Sequence, residues 1–70
     1  MNHKEITDAL KVGVYHAERA AQCADILATR NNAEGMHGIA AEWEKMSAES
    51  EQAAKFISKA LTKLLEGAHA

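Results

Sequence analysis

Apolar residues recur at helical spacing through Ile6, Leu10, Val14, Ala17, Ala20, Ala21, Ala24, Leu27 and Ala28. A polar stripe runs beside them through Lys4, Asp8, Lys11, Tyr15, Glu18, Gln22, Asp25 and Thr29. Both keep the three-then-four alternation that turns one face of an α-helix inward. Asn2 suits an N-cap, with Glu5 three residues on to answer it. The pattern predicts a first helix over about 3–31. A second apolar face follows: Met36, Ile39, Trp43, Met46, Ser50, Ala53, Ile57, Ala60, Leu61 and Leu64. It predicts a second helix over about 35–66, with Gly67 as its stop. Glutamates lie early in it (Glu34, Glu42, Glu44) and lysines late (Lys55, Lys59, Lys63), as the helix dipole favours.

Between the two lies Arg30–Gly38, "RNNAEGMHG". Asparagine and glycine tolerate the left-handed backbone that ends a helix. The segment is expected to turn over about 31–35, with Asn31 or Asn32 capping the second helix and Glu34 in its first turn. A helix of about 30 residues is about 45 Å long. A compact globule of this chain length has a radius of gyration of only about 11 Å. The expected fold is therefore all-α: an elongated antiparallel hairpin of two long helices, forming one domain over residues 1–70. The alternative is a three-helix bundle, broken at Gly13 or around Ser47–Ser50.

A turn near residues 32–34 sets Trp43 and Met46 opposite Ala20, Ala21 and Ala24, and Ala53 and Ala54 opposite Leu10 and Val14. His16 and Ser50 become the polar pair in mid-seam. Gly13, inside the apolar stripe, marks a close contact or a kink. Two helices bury only one seam, and Val12, Cys23, Ile26, Phe56 and Leu65 fall outside it. That excess predicts a homo-oligomer, in its simplest form a four-helix bundle of two hairpins.

Composition narrows the function. The chain has no proline, three aromatic residues and a formal net charge of -2. No global basic field draws it to nucleic acid or to an anionic membrane. Cys23 is the only cysteine, which favours a reducing compartment. The first residues hold no apolar run of signal-peptide or membrane-span length. A soluble cytoplasmic protein is expected.

Glu34 and His37 form Glu-x-x-His, a spacing used by metal-binding helices. Ferritin-like sites need further inward glutamates. The level opposite holds Thr29, Arg30 and Asn31, which supply none, so an exposed first turn is expected and no metal or cofactor. Ser47, Ser50 and Ser58 lack a nucleophile elbow. Cys23 and His16 lack a third orienting group. The chain is not expected to be an enzyme, and Cys23 is read as a buried structural thiol. Lys55, Lys59 and Lys63 are read as a solvated face. His3 and His69, near the ends, are expected to be disordered.

The expected function is that of a non-enzymatic interaction protein. A self-associating hairpin would bind and modulate a macromolecular partner, expected to be another protein, as an inhibitor or adaptor, in a mobile-element or phage counter-defence setting. Its candidate surface comprises Tyr15, His16, Arg19, Arg30, Trp43 and the acidic Glu42, Glu44, Glu49 and Glu51. One alternative is an oligomer that binds or sequesters a small anionic ligand or nucleotide, with Tyr15, His16 or Trp43 lining a pocket and Arg19 or Arg30 holding the anion. Another is an RNA-binding hairpin dimer. In outline the expected architecture resembles the plasmid-encoded RNA-binding hairpins that dimerise into four-helix bundles. No shared motif accompanies that likeness of shape, and a fold alone carries no function.

Overall fold

The computed structural model describes residues 1–68 and is a hairpin of two helices, α1 (His3–Ala33) and α2 (His37–Ala68). It measures 53 × 16 × 13 Å, with a radius of gyration of 15.9 Å. Neither Gly13 nor the Ser47–Ser50 region breaks a helix. The three-helix alternative is thereby excluded. Gly67, expected as a stop, is still helical.

Local chemistry accounts for the ends. The Asn2 side chain caps α1, its Oδ1 accepting from the Glu5 backbone N–H at 2.8 Å. The Asn2 amide also donates to Glu5 Oε1 at 3.3 Å. Helix α1 closes with paired bonds that satisfy its last carbonyls: Met36 N–H donates to Asn31 O at 2.7 Å and Gly35 N–H to Asn32 O at 3.1 Å. The reversal needs a left-handed residue, and Gly35 supplies it at φ 78°. The turn therefore sits at Glu34–Met36, later than expected. Asn31 and Asn32 belong to the last turn of α1, and Glu34 is its C-cap rather than part of α2. His3, expected to be disordered, is the first residue of α1, and its carbonyl accepts from Thr7 Oγ1 at 2.9 Å. His69 lies outside the described residues.

Two strict seven-residue repeats define the seam. In each repeat the positions are labelled a to g, with a and d inward. In α1, position a holds Thr7, Val14, Ala21 and Ala28, and position d holds Leu10, Ala17, Ala24 and Asn31. In α2, position a holds Ala40, Ser47, Ala54 and Leu61, and position d holds Trp43, Ser50, Ile57 and Leu64. Every one of these residues is buried or half-buried, and among the described residues only Gly13 and Leu27 join them. A repeat of seven is the spacing that favours slight under-winding and a left-handed supercoil.

The seam is built from small side chains. Among the described residues, the buried ones are Thr7, Ala21, Ala24, Ala28, Ala40, Ser47 and Ala54. This corrects the expected packing. Met36, Ile39 and Met46 were assigned to the inner face, yet they are 42%, 45% and 50% exposed. Ala53 and Ala60 also lie outside. The inner face of α2 is centred on Ala40, Ser47 and Ala54, rotated away from the face that the large side chains mark. Gly13 lies against Ile57: a Cβ built there would stand 3.7 Å from Ile57 Cδ1. That is ordinary van der Waals distance, so Gly13 faces Ile57 across the seam without the backbones being in close approach, and α1 runs through it unbroken. This fixes a register about one helical turn beyond the expected one, as the later turn requires. Ala24 is then level with Ser47, and Ala17 with Ala53 and Ala54.

Candidate interaction surface

Beyond the seam, the two flanks of the hairpin differ in chemistry. In an antiparallel pair, the g positions of both helices share one flank and the e positions share the other. The structure shows this directly on the e side, where Glu18, Glu51, Lys55 and Ser58 line one shallow groove over Ala54. The e flank carries Lys4, Lys11, Glu18, Asp25 and Asn32 from α1, with His37, Glu44, Glu51, Ser58 and Leu65 from α2. Six of these ten are formally charged, so water solvates that side. The g flank carries Ile6, Gly13, Ala20 and Leu27 from α1, with Ile39, Met46, Ala53, Ala60 and Gly67 from α2. None is charged.

The g flank widens at position c. There α1 places Ala9, His16, Cys23 and Arg30, and α2 places Glu42, Glu49, Phe56 and Lys63. Phe56 is 75% exposed, beside a shallow groove on α2 that Gln52, Ala53 and Lys59 also line. Val12 and Ile26 lie further round α1 at position f, each more than half exposed. Scattered exposed apolar residues are ordinary. A continuous uncharged stripe along both helices is less so, and it is the candidate interaction surface of this hairpin.

The residues singled out in the sequence fall on different sides. Tyr15 stands on the polar side at position b, 59% exposed, its ring edge-on to His16 with centroids 5.4 Å apart. His16 is exposed rather than in the seam beside Ser50, because it lies at position c. Arg19 is exposed, and its Nη1 donates to Gln22 Oε1 at 3.1 Å. Arg30 is exposed near the turn, while Trp43 is half-buried at a seam d position. Tyr15 and Trp43 lie at levels about 18 Å apart along the axis, twelve residues at 1.5 Å each. One chain therefore does not gather Tyr15, His16, Arg19, Arg30 and Trp43 into a pocket. The acidic row also divides: Glu42 and Glu49 border the g flank, whereas Glu44 and Glu51 belong to the e flank.

Cys23 is exposed, which corrects its reading as a buried thiol. Glu34 and His37 are both exposed, and His37 Nδ1 lies 2.9 Å from Asn32 Oδ1 across the turn. Among the described residues, no three His, Cys, Asp or Glu side chains converge in a metal-binding group, and no helix is long and apolar enough to cross a membrane. The uncharged g flank went unseen in the sequence because Ile39 and Met46 were assigned to the seam. The signal that could have found it is the run of small residues every seven positions at Ala40, Ser47 and Ala54. No family profile, characterised protein or solved structure matches this chain.

Proposed function

We propose that the chain is a non-enzymatic, self-associating interaction protein. Two hairpins pair through their g flanks into a four-helix bundle. The bundle then binds and modulates a protein partner through its polar surface, as an inhibitor or adaptor does. A cytoplasmic setting belongs to this reading. The observation that carries it is the contrast between flanks: no charge at the nine g positions, and six formal charges at the ten e positions.

Surface area supports the same reading. The hairpin exposes 5195 Å². A compact monomer of its mass exposes about 4,300 Å². The surplus is about 900 Å² per chain, so covering it in a pair removes about 1,800 Å², within the range of roughly 1,200–2,000 Å² for stable specific interfaces. The face that remains outward offers Tyr15, Arg19, Glu44 and Glu51 to a partner, mixed in charge and suited to a protein surface of complementary charge. Light scattering at about 10 µM should read the mass of two chains, on a concentration scale where standard-sized interfaces are formed. A folded single chain at that concentration would remove the basis of the proposal.

A further inference from the structure

Self-association through the g flank, on which this inference rests, allows two orientations of the copies, and the charges choose between them. The loop half of the hairpin, residues 18–53, has seven acids (Glu18, Asp25, Glu34, Glu42, Glu44, Glu49, Glu51) and three bases (Arg19, Arg30, Lys45), a net -4. The open half, residues 1–17 and 54–68, has five lysines (Lys4, Lys11, Lys55, Lys59, Lys63) and three acids (Glu5, Asp8, Glu66), a net +2. Together the halves give the chain's formal -2.

A two-fold axis along the hairpin would set both loops at one end and bring -4 against -4. An axis across it sets the loops at opposite ends, with each acidic half on a basic half. Surface charges act over about 10 Å at moderate salt, and like-charge juxtaposition rejects a wrong arrangement. We infer that the two copies pair with their loops at opposite ends, α1 on the partner's α1 and α2 on the partner's α2.

Side-chain size agrees with this axis, which crosses near the level of Ala17 on α1 and Ala53 on α2. Along α2, Met46 comes level with the partner's Ala60 and Ile39 with the partner's Gly67, so large side chains meet small ones. Along α1, Gly13 comes level with the partner's Ala20, which lets the two backbones approach. Ile6 and the partner's Leu27 close each end. Glu42 comes level with the partner's Lys63. Of the charges that border the g flank, Glu42 and Lys63, both exposed in one chain, become complementary across the pair.

The test places one nitroxide near the turn. Ala33 is exposed, and Ala33→Cys in a Cys23→Ala background gives a single labelling site per chain. Pulsed dipolar spectroscopy should read a separation of about 50 Å between copies, since residue 33 lies some sixteen residues from the axis at 1.5 Å each. A separation of about 20 Å or less, set by neighbouring helices 8–10 Å apart, would put both loops at one end and overturn the inferred orientation while leaving self-association in place. No intermolecular separation, with a single-chain mass by light scattering, would overturn the pairing itself.

Discussion

Ala24→Glu should unfold the hairpin at room temperature. Ala24 is a d residue in the middle of α1, only 2% exposed. The register sets it level with Ser47, itself 5% exposed, in the stretch where both helices contribute only small side chains. A glutamate there must push the helices apart or carry an unpaired carboxylate into the seam. No cation sits at a seam position of either helix to meet it. Overpacking costs about 1–3 kcal/mol, and an uncompensated buried charge about 3–5 kcal/mol more. The whole assembly has about 5–15 kcal/mol to lose. Far-ultraviolet circular dichroism should show loss of helix, whereas Gln22→Glu, two residues away on the exposed polar side, should keep it. A folded Ala24→Glu protein would mean that the helices are not held together along the small-residue seam.

Trp43→Ala should be the second most costly change. Trp43 is the largest side chain of the seam, at a half-buried d position level with the half-buried Leu27. Its other seam neighbours are Ala28, Ala40, Ser47 and Asn31, too small to fill the space that it leaves. Removing a fully buried aromatic costs about 3–5 kcal/mol, and partial exposure reduces this to about 2–3 kcal/mol. For a domain of this size that is a fall in melting temperature of roughly 10 °C or more. The wild-type indole should be partly protected from iodide. An unchanged melting temperature together with free quenching would instead make Trp43 a surface anchor for a partner.

The existence and period of both helices were legible because periodicity survives any choice of inner face. Asn2 and the Asn-Gly turn chemistry were legible because the requirements of a cap and of a left-handed residue are local. The inner face of α2 was misassigned for a physical reason. Hydrophobicity weights Ile39 and Met46 above Ala40 and Ser47, but two helices that pack closely along a seam select small side chains. The large ones are then displaced to the flank. On α1, His16 and Cys23 fall at position c, outside the seam. On α2, Glu42 and Glu49 fall at c and Glu44 and Glu51 at e, although the four look like one row when only their proximity in sequence is considered. The strict heptads at Thr7, Val14, Ala21 and Ala28 and at Ala40, Ser47, Ala54 and Leu61 hold the information, but only when alanine and serine are counted as core residues. The register needed the position of Gly35, because either asparagine before it was an equally good place to turn.

In the proposed pair, a second copy covers the uncharged flank that the seam of small residues leaves exposed. Thermal unfolding followed by circular dichroism across a range of protein concentration tests this most directly. If folding and pairing are linked, mass action stabilises the paired state, and the melting temperature rises steadily with concentration. That rise is the expected result. A fully helical protein whose melting temperature is the same from about 1 µM to about 1 mM, a range over which a linked dimer must respond, would contradict it.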